Sequence, residues 1–126
     1  GDALLAPHRW YGRALDLDRF ADPIKALAHI TGGGIAGNLV RVLPEGARAR
    51  VRASSWPRPA VFRWLIDAGA IDEADARVAF NLGIGMIVVC DPAAQSAVTD
   101  ALAAAGETVF AIGEVGRGER GVEWLP

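Results

Sequence analysis

Two stretches of this 126-residue chain combine a pliable backbone with polar side chains in a way that suits anion binding. The first is His29-Ile30-Thr31-Gly32-Gly33-Gly34, continuing through Asn38 and Arg41 to Leu43-Pro44. Consecutive glycines are unfavourable in a regular element, at roughly 0.5–1 kcal/mol each relative to alanine. They make sense where the backbone must come close to a ligand. The amides of such a turn, and the helix start expected after it, attract negative charge. Thr31 adds a hydroxyl, Asn38 an amide and Arg41 a permanent cation. The residues alone equally allow a tight turn between two helices with no ligand. The spacing is not the GxxxxGK[ST] of a P-loop. No strand is expected before the turn, so a dinucleotide-binding fingerprint does not fit either.

The second stretch is Phe80-Asn81-Leu82-Gly83-Ile84-Gly85-Met86. Gly83 and Gly85 let the chain bend or let another backbone approach. Asn81 is then either a polar group presented beside a strand or the cap of a helix-to-strand turn. His29 is open to two readings, a catalytic group or a structural hydrogen-bond partner at a helix end. His8 is assigned no chemistry. The two histidines are far apart in sequence, and Cys90 is the single cysteine, so neither a metal site nor a disulfide is expected. Asp16, Asp18 and Asp22 read as a solvated acidic loop, and Glu73 and Asp75 as helix-capping residues. Arg117, Glu119 and Arg120 read as an exposed hairpin turn.

The elements that must position these groups can be read from the pattern. Asp22-Pro23 looks like a helix start, with Ile24, Leu27 and Ala28 on one face. A second helix follows the glycines, carrying Ile35, Leu39 and Val42, and Pro44 ends it. The alternation over 47–53 predicts a strand. Pro57 and Pro59 open a helix with Val61, Trp64, Leu65 and Ala68 inward and Gly69 as its cap. Asp72 caps a short helix reaching Ala79. Gly85 to Cys90 is a continuous apolar run and predicts a central buried strand. Asp91-Pro92 starts a helix to about Ala105, with Val98, Leu102 and Ala105 inward. Strands are expected over Thr108–Val115 and Val122–Trp124. Trp56 and Trp64 are expected to anchor their helix to the core. The class expected is α+β: a mixed or antiparallel sheet covered by helices, in one domain over residues 1–126.

Composition narrows the function. The chain is 52% hydrophobic and 22% charged, with a net charge near −2, which fits a packed core and argues against nucleic-acid binding. Arginine is plentiful while Lys25 is the single lysine. No apolar run reaches the roughly 18 residues of a membrane helix. A lone cysteine suits the cytoplasm. The chain begins with Gly1 and not Met, so it is read as a fragment.

Taken together, the two stretches resemble the signatures of the cyclo-ligase family that makes aminoimidazole ribonucleotide (AIR synthetase). His29-Ile30-Thr31-Gly32-Gly33-Gly34 with Asn38, Arg41 and Leu43-Pro44 is similar to one signature, and Phe80-Asn81-x-Gly83-x-Gly85-Met86 to the other. Leu4-Leu5-x-Pro7 and Tyr11, Ser55-Trp56-Pro57, Gly106-Glu107 and Ile112-Gly113-Glu114-Val115 extend the likeness over nearly the whole chain. The sequence departs from the family at His8, where threonine is usual, at Asp75-Ala76, and at Gly37, a commonly acidic position. The resemblance implies the C-terminal domain of an ATP-dependent enzyme of purine biosynthesis. In that enzyme ATP phosphorylates the formyl oxygen of formylglycinamidine ribonucleotide, and an internal nitrogen closes the imidazole ring. It implies an ATP-binding N-terminal domain as partner, ATP and Mg2+ held mainly by that domain, and a homodimer. The fragment itself is expected to hold no cofactor and to be inactive alone. Carried onto this sequence, the catalytic candidate is His29. The substrate- and phosphate-binding candidates are Thr31, Gly32, Gly33, Gly34, Asn38, Arg41, Asn81 and Gly83. Two alternatives stand beside it. One is a non-catalytic binding or assembly module of the same fold. The other is a further superfamily member, such as a thiamine-phosphate kinase, a selenophosphate synthetase or a hydrogenase-maturation protein.

Overall fold

The computed structural model describes residues 2–15 and 22–126. Asp16 and Asp18, read as part of an acidic loop, lie outside the described residues. A single turn of helix, α1 (Asp2–Leu5), precedes an extended stretch and a turn at Gly12–Ala14. The first regular element after it is a strand, β1 (Ile24–His29), where the sequence predicted a helix. Six residues reading Ile-Lys-Ala-Leu-Ala-His fit either period. Pairing decides, because β1 runs antiparallel to β3 (Met86–Cys90), with His29 opposite Met86 and Ala28 opposite Ile87. Asp91 N donating to Pro23 O at 2.9 Å closes the far end of this two-stranded sheet. β3 was predicted to be central. Among the described residues β1 is its one strand partner, and most of its residues are half-buried.

The second sheet has the order β4–β2–β5. β2 (Ala47–Arg52) is its middle strand and follows the predicted alternation. Ala49 and Val51 are buried, each 2% exposed, while Arg48 and Arg50 point outward to Glu123 and Glu114 at 3.2 and 3.4 Å. β4 (Gly113–Arg117) pairs antiparallel with β2, and β5 (Gly121–Leu125) pairs parallel with it. The Arg117–Arg120 connection therefore crosses the end of β2 and is not the predicted hairpin turn. Arg120 donates to Val40 O at 2.9 and 3.1 Å and to Glu45 at 3.1 Å, which pins the crossing. The strand expected from Thr108 begins only at Gly113. Ahead of it, Ile112 O accepts from Arg52 N at 2.8 Å.

The helices are short. α2 (Gly34–Leu39) runs on into a 3-10 turn at Val40–Val42, and Pro44 lies just beyond, as predicted. α3 (Ala60–Gly69) starts after Pro59 as expected, yet it buries no residue fully, and Trp64 is 62% exposed. Trp64 is therefore no anchor. Trp56 is: it is buried, and its indole Nε1 donates to Leu82 O at 3.0 Å. The left-handed cap of α3 falls on Ala70 (φ 46°), one residue past the predicted Gly69. α4 (Glu73–Ala79) has Asp72 as its N-cap, accepting from Asp75 N at 2.8 Å. α5 (Gln95–Ala104) follows a 3-10 turn at Pro92–Ala94 and faces inward through Val98 and half-buried Leu102, while Ala105 is exposed.

The core gathers Ala28, Ile30, Ile35, Leu39, Leu43, Ala49, Val51, Trp56, Ile84 and Ile87 between the two sheets and α2. Ile30 and Ile35 are essentially inaccessible, at 0% and 1%. They flank the glycine turn on both sides. Burying each stabilises the fold by about 1.5–3 kcal/mol and fixes the turn between them.

Candidate functional site

β1 carries the chain directly into the glycine turn, with Ile30 N donating to Gly85 O at 2.9 Å. The turn thus follows a strand, contrary to the sequence reading, and Gly32-x-Gly34-x-x-Gly37 opens α2. This is still no dinucleotide unit, because β1 pairs antiparallel and α2 has six residues.

The three glycines have different reasons. Gly33 holds a left-handed backbone (φ 95°). Gly34 (φ 61°) packs so tightly on the end of α4 that a Cβ there would lie 1.9 Å from Arg77 O. Neither reason applies to Gly32, where a Cβ would meet nothing within 4 Å. The fold does not require glycine at that position, and the space beside it is open.

Asn38 is buried (6% exposed) and points into the turn. Its Nδ2 donates to the carbonyls of Thr31, Gly32 and Gly34 at 3.3, 3.2 and 2.7 Å, and its Oδ1 accepts from Thr31 Oγ1 at 3.2 Å. Asn38 is therefore the residue that shapes the turn. Gly34 N donates to Thr31 O and Gly37 N to Gly33 O, both at 3.1 Å. Among the described residues, no backbone carbonyl takes the amides of Gly32 or Gly33. Arg41 is exposed on the 3-10 turn and does not line the cleft described next.

That cleft has a volume of about 260 Å3 and lies where the glycine turn meets the end of α4. Thr31, Gly32, Asn81 and His8 give it a polar rim, and Ile30, Phe62, Ala79 and Phe80 an apolar wall. Asn81 reaches it through a tight turn. Ile84 N donates to Asn81 O and Gly83 N to Asn81 Oδ1, both at 3.0 Å. With Oδ1 engaged, the amide Nδ2 is the end of Asn81 left to face a ligand. Gly83 (φ 101°) serves the turn itself, since a Cβ there would lie 2.6 Å from the Pro59 ring. Phe62 and Phe80 pack with their rings tilted by 45° at 5.6 Å between centroids and tie α3 to this wall.

His29, the last residue of β1, does not line the cleft; His8 does. The two rings meet edge-on, with His29 Nε2 3.3 Å from His8 Nδ1. The sequence reading set these histidines apart and assigned His8 no chemistry, and the structure brings them together. Tyr11 lies behind His29 at 6.5 Å between ring centroids. Burial, reinforced by the Glu107 charge, raises the Tyr11 hydroxyl pKa and keeps it neutral, while Arg9 acts the other way. Arg9 holds this leading segment down through Glu107 at 2.8 Å and Gly106 O at 3.0 Å.

Among the described residues no carboxylate lines the cleft, and its rim offers hydroxyl, amide and imidazole groups. Such a set accepts anions and has nothing to hold a hard cation, which needs carboxylate oxygens. A larger cavity, about 690 Å3, lies between β3, α5 and residues 107–115. Its lining mixes apolar residues with charged ones, among them Arg50, Glu107 and Glu114. Cys90 borders it, with burial and then the Asp91 charge raising the thiol pKa, so this cysteine is a poor nucleophile. Sequence reasoning missed His8, Phe62 and Phe80 as cleft residues, because only tertiary packing brings them to Thr31.

Comparison with known proteins fits this geometry. Residues 1–125 match the family described as AIR synthase related protein, C-terminal domain. The chain belongs to this family. Among curated relatives of the AIR synthase related chain, a phosphoribosylformylglycinamidine cyclo-ligase from Sorangium cellulosum is 45% identical over 117 residues. That alignment covers 91% of this chain and 34% of the relative. A cyclo-ligase of the same name from Polaromonas sp. is 47% identical over 118 residues, covering 93% of this chain and 34% of the relative. The chain thus spans about a third of the length of these relatives. A solved thiamine-monophosphate kinase from Stenotrophomonas maltophilia shares the fold, with a TM-score of 0.60 at 18% identity. It covers 87% of this chain and 33% of the kinase. The α+β class and the family resemblance read from the sequence are both correct. No helix among the described residues is long and apolar enough to cross a membrane.

Proposed function

We propose that this AIR synthase related chain is the substrate-side domain of an ATP-dependent cyclo-ligase that closes the imidazole ring of aminoimidazole ribonucleotide. One observation carries the reading: Thr31 and Gly32 converge with Asn81, distant in sequence, on one cleft that no carboxylate lines among the described residues. Family membership and the names of its relatives support it. In this reaction ATP transfers its terminal phosphoryl group to the formyl oxygen of formylglycinamidine ribonucleotide. A nitrogen of the same molecule then attacks the activated carbon, phosphate leaves with that oxygen, and ADP remains. The cleft holds the phosphoribosyl end through the Gly32 amide and Asn81 Nδ2, and Thr31 Oγ1, whose proton goes to Asn38 Oδ1, is left to accept from a sugar hydroxyl. Asn38 keeps the turn in shape, and His29 orients the rim.

ATP and its magnesium ion belong in this proposal to an ATP-binding partner domain, and the full-length enzyme to a homodimer. Among the described residues no group of three histidine, cysteine or acidic side chains could hold a metal ion. Alone, the chain should not cyclise substrate. A direct test replaces the C-terminal third of the Sorangium cyclo-ligase with this chain. The hybrid should show ATP-dependent ring closure, and Gly32→Val in it should raise KM for the ribonucleotide. A folded hybrid that binds ATP yet forms no aminoimidazole product would contradict the proposal.

A further inference from the structure

We propose that His8 is a ligand-contacting residue of the cleft and that His29 acts through it. The inference rests on the anion-binding reading above and adds to it a residue and a proton arrangement. His8 lines the cleft with Thr31, Gly32 and Asn81, and His29 stands behind it, with 3.3 Å between His29 Nε2 and His8 Nδ1. A neutral imidazole carries one N–H. When His29 Nε2–H donates to His8 Nδ1, the proton of His8 sits on Nε2, the outer nitrogen. That N–H is then the donor offered to the cleft. The opposite tautomer leaves His8 Nε2 as an acceptor, which an anion does not stabilise. Binding of an anion therefore selects the tautomer in which His29 is the inner donor, and His29 becomes a positioning residue.

The charges around the pair leave that role open. Arg9 on the same segment is held by Glu107 at 2.8 Å. Tyr11 is kept neutral, and the strand opposite His29 presents Met86. No carboxylate among the described lining residues competes for the His8 N–H. The chemistry recognised is a phosphate monoester. Its terminal oxygens take the His8 Nε2–H, the Gly32 amide and the Asn81 amide, while its carbon-bearing side rests on Phe62 and Phe80.

The test titrates the purified 126-residue chain with ribose 5-phosphate and with inorganic phosphate, following imidazole 15N and backbone amide shifts by NMR. The His8 Nε2 resonance should move with the Gly32 amide, with one dissociation constant. His8→Ala should weaken binding by about ten- to a hundredfold, the loss expected for a hydrogen bond to a charged group. His29→Ala should weaken it too, whereas His29→Gln, which can still donate an amide N–H to His8 Nδ1, should restore most of the affinity. If the probes shift Gly32 and Asn81 but His8→Ala binds as tightly as the parent, the cleft reading stands and the His8 inference falls. If neither probe shifts Gly32 in the parent chain, the cleft reading itself falls and takes the inference with it. Equal losses for His29→Ala and His29→Gln, with the His8 resonance still moving, overturn the relay and leave His8 alone as the contact.

Discussion

Gly32 and Gly34 stand two residues apart and face opposite demands. Gly34 is glycine because the end of α4 leaves no room for a Cβ and because its backbone is left-handed. Gly32 has room and no such backbone. Gly34→Ala should therefore destabilise the chain by about 2–4 kcal/mol, from the left-handed conformation and the overpacking together. Gly32→Ala should be neutral or slightly stabilising, within about 1 kcal/mol, because it restricts the unfolded chain. Urea denaturation of both variants checks this, and equal losses would show that Gly32 is structural. The same contrast explains what the sequence could reveal about the site. A run of three glycines announces a special turn, yet it does not say which of them the fold itself requires. Asn38 looked like a binding group and instead shapes the turn, because its direction depends on the helical backbone of α2. His8 stood out only as a departure from the family, since its partner His29 lies 21 residues away in the sequence.

The elements with capping chemistry were legible, and the short apolar segments were not. Asp72 marks the start of α4 through a side-chain bond that its own type dictates. β1 was misread because six residues cannot separate a helical stripe from a strand, and its pairing with β3 was out of view. Thr108 to Ile112 has strand-forming residues, but β2, the neighbour of β4, ends its register with that strand at Gly113. The end of α3 carries a testable misfit, since alanine occupies the left-handed cap position (φ 46°). Ala70→Gly should stabilise the chain by about 0.5–1 kcal/mol, seen as a higher urea midpoint at unchanged slope.

α4 is also tied to the Pro57–Pro59 segment by Glu73, which accepts from Arg58 at 2.7 and 3.0 Å and from Arg77 at 2.9 Å. The Arg58 hydrogen bonds, more than those of Arg77, hold the Glu73 carboxyl below its ordinary value of 4.5, against the opposing effect of burial. A lowered carboxylate pKa stabilises the fold above the unfolded value and loses that contribution as pH falls through the folded value. The stability gap between the parent chain and Glu73→Gln should thus be present at pH 7, begin to shrink near pH 4.5 and vanish once the pH is below the lowered folded value. With Glu73 44% exposed, the gap stays within about 1 kcal/mol. A gap that is constant from pH 7 to pH 3 would contradict the assignment.

At the scale of the molecule, two small sheets meet over one apolar cluster, and the glycine turn emerges where β1 leaves that cluster. Ile30 and Ile35 are buried on either side of the turn, so the core and the cleft share a wall. Arg77, whose backbone carbonyl crowds Gly34, also stacks its guanidinium on Trp124 at 4.5 Å and so links the cleft to β5. The class and the family were legible because two ordered signatures survive side by side, whatever the local elements do. The sheet arrangement was not, because strand order depends on non-local pairing that no local pattern encodes.

The proposed function requires the open backbone at Gly32 to receive a phosphate-sized anion beside Asn81. Crystals grown from ammonium phosphate measure this directly. Tetrahedral density is expected within hydrogen-bonding distance of the Gly32 amide and Asn81 Nδ2. A well-ordered cleft without such density, or a Gly32 amide turned inward to a carbonyl, would contradict it.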